Sequence, residues 1–348
     1  MITKKADDLY ILVKEIFTKA GSPVHNAEDL ADHLILASLS GVDTHGIWHV
    51  LRYLNSIRDG EILPSSIPEI VKETPTSALI KGNWCFGQVS AKYAMKVAIE
   101  KAKQSNIAAA GLVKTHHIGR LGHYVEMATE AEMIGMIWAG GFGEEEPMTA
   151  PFGGRERVLH TNPISIGFPI GKEIPMMFDW ATTALSGVKV INAERRGESL
   201  PPNCIIDKEG NPTTDASGFS DGGSYLPFGA HKGYCLMMAV EYLGRIFTGA
   251  DDFVEPGRGG PIFRHQGVTM IVMKSDLFRN LSDYSESARE MRARVKASKP
   301  APGFDGVLAP GDMESRNREI RRRDGIPIAE DVWQSLCEAA DRMGVKTP

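Results

Sequence analysis

The segment IAAAGLVKTHHIGRLGHY, from Ile107 to Tyr124, joins an apolar run to a loop rich in histidine and glycine. The run IAAAGLV is typical of a buried strand, so His116 and His117 are expected where that strand ends. A Rossmann fold would carry GxGxxG between such a strand and the next helix. That pattern is absent, and GGFGEEEP (Gly140 to Pro147) supplies acids where a phosphate would lie. If the chain binds a dinucleotide, it does so on another scaffold.

Outward from this segment, short apolar runs separated by Gly and Pro alternate with helical patterns such as 90–104 and 124–133. The predicted strands are SALIKG, NIAAAGLVKT, GMIWAGGF, ISIGFPI, PMMFDWA and GVTMIVMK. The first sixty residues instead predict three helices, and 329–343 predicts another. We therefore expect an α/β fold in which a helical domain (1–73) is completed by the C-terminal segment (301–348), around an α/β domain (74–300).

The amino-acid composition limits the classes of protein to which the chain could belong. The 348 residues are 42% hydrophobic and 24% charged, as in ordinary globular proteins, and the net charge of -5 argues against a nucleic-acid or acidic-membrane partner. Four scattered cysteines predict neither a zinc site nor a disulfide framework. No apolar run approaches the ~20 residues of a membrane span, and the N-terminus lacks the apolar core of a signal peptide. We expect a cytoplasmic protein.

The segment GVDTHGIWHVLRYL (Gly41 to Leu54) predicts an amphipathic helix capped by Asp43 or Thr44. His45, His49 and Tyr53 recur every four residues and share one face, with Arg52 beside them. That stripe is either a solvated surface or the wall of a pocket. Gly46 would leave room there for a ligand or for backbone.

Other polar residues follow predicted strands. The spacing of His116, His117 and His123 matches no zinc motif, so an acid–base or hydrogen-bonding role is favoured over a metal site. Thr161 and Asn162 precede Pro163, which fixes the turn; they could orient a substrate or form a simple Asx turn. Asp179 ends the run PMMFDW and could equally cap a helix.

The segment LPFGAHKGYCLMMAVEYLGRIF (Leu226 to Phe247) places His231 and Lys232 between glycines, just before an apolar helix. The free N–H groups of a helix start and a lysine together favour an anion such as a diphosphate or a carboxylate. A buried helix with an incidental lysine is the alternative. The charge run RNREIRRRDG (Arg316 to Gly325) is either a solvated helix face or supplies an arginine to a phosphate.

Six segments in this order resemble the malate/L-lactate dehydrogenase family, which lacks a Rossmann fold: DTHGIWHVLRY, KTHHIGRLGHY, HTNPISIGFP, DWATTALSG, LPFGAHKGY and APGDMESRNREIRRRDGIPI. The family includes ureidoglycolate, sulfolactate and diketogulonate oxidoreductases and the piperideine and pyrroline-2-carboxylate reductases. The resemblance covers Leu9 to Gly344. It implies a sulfolactate-dehydrogenase-like fold, in which a mixed-sheet cofactor-binding domain joins the discontinuous helical domain.

The resemblance also implies roles for matching residues. His45 would donate the proton to the substrate with Thr44 as its relay, and His117 is the rival acid. The substrate contacts would be His49, Arg52, Tyr53 and Thr161. The cofactor contacts would be His117, Ile118, Gly119, Arg120, Leu121, Asp179, Trp180, Ala181, His231, Lys232, Pro310, Gly311 and Asp312.

Two positions depart from the family pattern. His49 stands where the family has an arginine, and His160 stands where it has a glycine. Arginine offers two parallel hydrogen bonds to a carboxylate and histidine does not, so Arg52 is a candidate replacement.

The implied activity is hydride transfer between NAD or NADP and C2 of a 2-hydroxy or 2-oxo acid, in a homodimer. One alternative is a reductase of cyclic 2-imino acids. Another is a cofactor-binding protein on the same scaffold that has lost activity.

Overall fold

The computed structural model describes residues 1–348, which form twelve α-helices, twelve strands and three short 3₁₀ or π segments. The helices are α1 (Ala6–Lys19), α2 (Val24–Leu39), α3 (His49–Arg58), α4 (Gly87–Ser105), α5 (Gly122–Glu130), α6 (Gly187–Arg196), α7 (Ser217–Ser220), α8 (His231–Glu241), α9 (Gly260–Phe263), α10 (Leu281–Lys296), α11 (Asp312–Asp324) and α12 (Glu330–Arg342). The strands are β1 (Ile2–Lys4), β2 (Glu69–Glu73), β3 (Ser77–Lys81), β4 (Ile107–Val113), β5 (Met133–Gly140), β6 (Ile164–Phe168), β7 (Met176–Trp180), β8 (Ile205–Ile206), β9 (Pro212–Thr213), β10 (Ser224–Tyr225), β11 (Gly267–Lys274) and β12 (Ile326–Ile328).

A seven-stranded mixed sheet forms the centre, in the order β2-β3-β4-β11-β5-β6-β7. Only β3 and β4 run parallel, connected through α4, and the other neighbouring strands are antiparallel. All six predicted strands are confirmed as β3, β4, β5, β6, β7 and β11. This topology confirms the expected mixed α/β fold and excludes the parallel sheet of a Rossmann domain.

Small side chains bring α4 and α5 close to the sheet. Ala91, Ala94 and Ala98 of α4 are buried in the core cluster that includes β4 and β11. On β5, a Cβ added to Gly135 would lie 2.7 Å from Cβ of Ala128 on α5. A larger residue at Gly135 would therefore separate α5 from the sheet, and α5 follows the histidine-rich loop.

The two ends of the chain share a second core. Side chains of α1, α2 and α3 pack with Ile326, Ile328, Leu336 and Ala340 from the C-terminal segment. β1 pairs antiparallel with β12, so Thr3 lies opposite Pro327. Strands of three residues carry too little periodicity to be read from sequence. The domain boundaries at 73 and 301 stay a prediction.

The predicted helix of the opening histidine stretch begins later than expected. Asp43–His45 form a short 3₁₀ turn, and α3 starts at His49 without a side-chain cap. A Cβ on Gly46 would lie 2.1 Å from Oγ of Ser38 on α2. Glycine is thus required here so that the turn can approach α2, rather than to leave room for a ligand.

Candidate active site

The 3₁₀ turn and α3 place three polar rings together. Oγ1 of Thr44 lies 3.0 Å from Nδ1 of His45. The His49 ring centroid is 6.0 Å from that of His45 and 5.4 Å from that of Tyr53. His49 and Tyr53 are both buried. The polar stripe therefore faces the protein interior at His49 and Tyr53, while His45 is half-buried.

The loop after β4 brings His117 against this stripe. Its ring lies 4.6 Å from that of His49 and stacks on that of His45 at 5.5 Å. Tyr53 Oη lies 2.7 Å from His117 Nδ1, and Gln88 Nε2 donates to Tyr53 Oη at 2.6 Å. Sequence reasoning missed Gln88, because it lies 35 positions from Tyr53 in the first turn of α4.

Burial holds the histidines of this site neutral. It lowers the pKa of His45 to about 4, with the positive charges of Arg120 and Arg52 adding to the effect. Burial also lowers the pKa of His160 to about 4, and the pKa values of His49, His116 and His117 fall below the ordinary value for the same reason. Arg52 contributes to the lowering at all five positions, which puts its charge near the whole cluster.

His49 has one nitrogen committed to the backbone. Its Nε2 lies 2.7 Å from the carbonyl oxygen of Thr44, so the ring donates there. The buried Nδ1 then carries a lone pair and has no hydrogen-bond partner. His49 in its neutral form therefore presents an acceptor at the position where the resemblance implies an arginine.

The cofactor-motif residues Arg120 and Asp179 meet at the start of α5. The Asp179 carboxylate accepts a hydrogen bond from the Gly122 N–H at 2.8 Å, and Arg120 Nε lies 3.6 Å from the same oxygen. Burial raises the pKa of Asp179 to about 6, against the lowering effects of Arg120 and Gly122. Arg120 also donates to Glu126 at 3.1 Å, while its Nη1 is buried without a partner. The Ile118 and Leu121 side chains of this loop are buried in the core of the sheet.

A histidine pair that sequence reasoning missed supports this loop. His33 Nε2 accepts the Arg120 N–H at 2.9 Å, and its Nδ1 lies 2.8 Å from Nδ1 of His123. A Cβ on Gly119 would lie 2.1 Å from His33 Nε2, so the loop needs glycine there. His33 lies on α2 and its side chain is buried. Because its neighbours in the helix are largely apolar, the sequence pattern gives no sign of its contact with the loop.

The HTNP turn lies next to the segment after β7. Thr182 donates through its N–H at 2.9 Å and its hydroxyl at 3.0 Å to the carbonyl oxygen of Thr161. Asn162 donates to the Glu241 carboxylate at 2.8 Å. The His160 ring lies 4.5 Å from that of Phe142 in a tilted arrangement, and its buried Nε2 has no partner. The two hydrogen bonds from Thr182 hold Thr161 next to the segment that contains Trp180 and Ala181.

The remaining cofactor candidates are not in contact with the histidine cluster. The Pro310 carbonyl accepts the Met177 N–H at 3.2 Å, and a Cβ on Gly311 would lie 2.9 Å from the Pro175 carbonyl oxygen. Asp312 is paired with Arg292 and with Lys296. A cavity of about 700 Å³ lies here, lined by Pro175, Met177, Gly311 and Arg318 among others.

His231 and Lys232 begin α8, and both are exposed. Lys232 makes no ion pair or hydrogen bond within the chain, so its ammonium group is available to an anion. The preceding residues Gly229 and Ala230 both have positive φ, 59° and 56°. The helix start is thus presented by a sharply turned loop, which is the arrangement expected of an anion site.

Two arginines of α11, Arg318 and Arg321, contact other parts of the chain. Arg318 pairs with Glu126 and donates to Oγ of Ser40 at 2.7 Å. Arg321 Nη2 donates to the Asp43 carboxylate at 3.0 Å. Asp43 starts the turn that bears His45, so α11 supports the site from behind. Neither sequence interpretation of this run covers these internal contacts.

The clustered side chains of His45, His49, Tyr53 and His117 are proton donors and acceptors. No group of three or more His, Cys, Asp or Glu side chains is arranged to hold a metal ion. None of the helices has the length and apolarity that a membrane span requires. The fold combines a mixed sheet, two stacked histidines with hydroxyl partners and an unpaired lysine at a helix start, an arrangement suited to an oxidoreductase of the dehydrogenase class.

Comparison with known proteins identifies the family. The profile described as malate/L-lactate dehydrogenase matches residues 5–337, and the chain belongs to this family. It is 34% identical to L-sulfolactate dehydrogenase of Methanocaldococcus jannaschii, over 99% of this chain and 98% of that protein. It is 35% identical to hydroxycarboxylate dehydrogenase B of Escherichia coli K12, over 98% and 94%.

Two solved structures of related enzymes have the same fold as this chain. The M. jannaschii sulfolactate dehydrogenase structure has a TM-score of 0.90 at 33% identity, covering 99% of this chain and 98% of that one. The Δ1-piperideine-2-carboxylate reductase of Pseudomonas syringae has a TM-score of 0.83 at 27% identity, covering 98% and 100%. The expected sulfolactate-dehydrogenase-like fold is confirmed.

Proposed function

We propose that this protein is a hydroxy acid dehydrogenase that uses NAD or NADP to interconvert a 2-hydroxy acid and its 2-oxo form. The observation that carries the proposal is the stacked pair His45 and His117, each with a hydroxyl group beside one ring nitrogen. Reduction of a 2-oxo acid requires a proton at the substrate oxygen as hydride arrives at C2. The relatives named above support the hydroxy acid over the cyclic imine.

In this proposal His45 donates the proton to the substrate oxygen, and Thr44 hydrogen-bonds to its Nδ1. His117 is the rival donor, since Tyr53 fixes its ring. Arg52, His49, Tyr53 and Thr161 contact the substrate. His49 and Tyr53 are buried and His45 and His117 are half-buried, so the site is only partly open to water, which strengthens hydrogen bonds to the substrate oxygen.

The nicotinamide cofactor, when bound, supplies or accepts the hydride. The residues present fit such a group: Arg120 Nη1 is buried without a partner, and Lys232 is an exposed unpaired cation at a helix start. Residues 117–121, 179–181, 231–232 and 310–312 would hold it. Lys232 and the first N–H groups of α8 would bind a diphosphate, whose negative charges they complement.

We also propose a homodimer in the cytoplasm. Tyr242, Ile246 and Phe247, which follow α8, are 60%, 57% and 72% exposed, and such an apolar surface is expected at a subunit contact. All four cysteines are free thiols, as expected in a reducing compartment. Light scattering at micromolar concentration tests the dimer: a mass of one chain would contradict it.

The activity is tested with purified protein, NADH or NADPH, and a panel of 2-oxo acids and cyclic imines, by the loss of reduced cofactor. We expect turnover of at least one 2-oxo acid. Turnover of cyclic imines alone would favour the reductase, a second candidate because the piperideine-2-carboxylate reductase shares the fold. Tight cofactor binding without any turnover would identify a protein that has lost activity, and no cofactor binding would contradict the proposal.

A further inference from the structure

Arg52 is the unpaired cation of the histidine cluster. Two guanidinium groups influence the pKa of His45, those of Arg120 and Arg52. Arg120 is paired with Glu126 and Asp179. Arg52 makes no hydrogen bond or ion pair, and its guanidinium lies over the Phe263 ring, 5.4 Å from the centroid. A substrate anion therefore has one free arginine available, and a bidentate carboxylate pair would satisfy it.

His49 does not supply a second anion contact. Its Nε2–H is used by the Thr44 carbonyl, and its Nδ1 lone pair would repel a carboxylate. The side chains of His116 and His160 likewise offer no permanent charge. The rings beside Arg52 are therefore neutral, and His49 turns an acceptor toward the cluster instead of a second cation.

Negative charge lies directly beyond Arg52. A cavity of about 220 Å³ is lined by Arg52, Ser56, Glu61, Ile262 and Phe263 among others. The Glu61 carboxylate accepts a hydrogen bond from Ser56 at 2.8 Å and lies 3.6 Å from His116 Nε2. The neighbouring His116, the Ser56 hydroxyl and the positive charge of Arg52 lower the pKa of Glu61, which therefore stays ionised at neutral pH. A second carboxylate or a sulfonate on the substrate would meet this charge.

The rest of the wall is flat and apolar. Phe263 is buried, with the His116 ring at 4.6 Å and the His117 ring at 5.4 Å. Phe142 stacks on Phe263 at 6.3 Å and contacts His160 at 4.5 Å. The loop that carries Phe142 is held by ion pairs of its glutamates with Arg245 and Arg264. Aromatic faces of this kind accept planar or apolar groups.

We propose, on the basis of the dehydrogenase function above, that the substrate is a 2-hydroxy monocarboxylic acid with an uncharged, apolar and preferably planar side chain. Its carboxylate binds Arg52, its side chain lies against Phe142 and Phe263, and Glu61 rejects acids with a second anionic group. The chain thus discriminates against the dicarboxylate and sulfonate substrates after which several of its relatives are named.

The test compares kcat/KM of the purified full-length protein for phenylpyruvate, 2-oxobutanoate, oxaloacetate and sulfopyruvate, with NADH and with NADPH. We expect the two monocarboxylates to exceed the two dianions by about tenfold or more, the discrimination that 1.4 kcal/mol provides. Equal or higher kcat/KM for oxaloacetate or sulfopyruvate would overturn the inference while leaving the dehydrogenase function intact. Absence of turnover on any 2-oxo acid would instead contradict the proposed function on which the inference depends.

Single substitutions test which residues determine the preference for monocarboxylic acids over dianions. Glu61→Gln should raise the ratio of kcat/KM for oxaloacetate to kcat/KM for phenylpyruvate by about three- to tenfold, because a like charge is removed. Arg52→Met should raise KM for every acid without changing the Kd of the reduced cofactor. Glu69→Gln, which removes an exposed carboxylate on β2, is the matched control. It should change neither the acid preference nor the KM values. An unchanged acid preference in folded Glu61→Gln, verified by thermal melting, would remove Glu61 from the inference and overturn it.

Discussion

Tyr53 Oη lies 2.7 Å from His117 Nδ1, across 64 positions of sequence. Because Gln88 donates to the same phenol oxygen, the Tyr53 O–H points to His117, whose Nδ1 is the acceptor. A neutral His117 then carries its proton on Nε2. Burial raises the pKa of Tyr53 above its ordinary value, so the phenol stays protonated and keeps this orientation. One hydrogen bond thus fixes both the ring and the tautomer of His117.

Tyr53→Phe should lower kcat by about 5- to 30-fold, because loss of a buried hydrogen bond costs roughly 1–2 kcal/mol and frees the tautomer. The pH dependence of kcat should shift as well, since His117 Nδ1 becomes free to protonate. Steady-state rates between pH 5.5 and 9 measure both effects. Tyr225→Phe, which removes a buried phenol in another part of the chain, is the control. Unchanged kcat and pH profile in Tyr53→Phe would show that this bond has no part in the reaction.

Arg321→Met should lower kcat about fivefold while leaving cofactor affinity unchanged. Arg321 pairs with Asp43 and donates to the Ser38 carbonyl, so its loss releases the turn that carries Thr44 and His45. Arg323→Met is the matched control, because Arg323 is on the same helix and pairs only with the exposed Asp324 beside it. If both variants lose kcat equally, the loss reflects the charge of α11 and not the position of His45.

Lys232→Ala should weaken binding of the reduced cofactor by roughly 1.5–3 kcal/mol, the contribution of a charge-assisted hydrogen bond. Lys232 is exposed and unpaired at the start of α8, where it can reach an anionic group. Titration calorimetry or cofactor fluorescence gives the Kd. Lys208→Ala, an exposed lysine next to Glu209, should leave it unchanged. A Kd unaltered by Lys232→Ala would place the cofactor phosphates elsewhere.

Acid should destabilise the protein well before most of its carboxylates are protonated. Burial lowers the pKa of seven histidines in the folded state: His33, His45, His49, His116, His117, His123 and His160. The unfolded chain protonates them near pH 6.5, so stability is present above that pH and is lost as pH falls toward 4. Each contributes up to ~1.4 kcal/mol per pH unit in that window.

Asp179 acts in the opposite sense, because its raised pKa favours the folded state as pH falls through about 6. One carboxyl group does not offset seven histidines. The free energy of unfolding, measured with urea at pH 7.5, 6.5, 5.5 and 5.0, should decrease at each step. A constant value from pH 7.5 to 5.0 would contradict the neutral histidine cluster. Replacing the exposed His25 by Asn should leave the slope unchanged.

The sequence indicated those parts of the fold whose signal is local. The runs IAAAGLV and GVTMIVMK are mostly apolar because β4 and β11 are central strands of the sheet and largely buried, so their length and flanking residues sufficed. The grouping of His45, His49 and Tyr53 on one face likewise follows from helical spacing. β1 and β12 were missed because each has only three residues and forms by pairing across the whole chain.

Contacts between distant segments left no local pattern in the sequence. Asp43 and Arg321 are 278 positions apart, and His33 and His123 are 90 apart. His33 lies in an apolar helix, so its spacing predicts only burial, and nothing local indicates that its ring accepts the Arg120 N–H. Only the fold decides which polar residues of such helices become supports for the site.

His45→Ala should reduce kcat far more than it changes cofactor affinity. Hydride arrival places negative charge on the substrate oxygen, and a positioned general acid is typically worth ~10²–10⁴-fold in rate. Thr44 lies 3.0 Å from His45 Nδ1, and the His117 ring stacks on His45, so each histidine can reach the same reacting atom. We expect His45→Ala to lose more activity than His117→Ala, with the Kd of NADH or NADPH measured for both.

The comparison of the two single variants with the double variant separates the roles. If His45→Ala keeps near-normal kcat while His117→Ala abolishes turnover, the Nε2–H of His117 fixed by Tyr53 is the donor and the assignment is reversed. Similar losses in both, with no further loss in the double variant, would mean that the pair acts as a unit, because residues that share one step are not additive. Independent, multiplying losses would assign the two rings to separate steps, with the larger loss marking the proton donor.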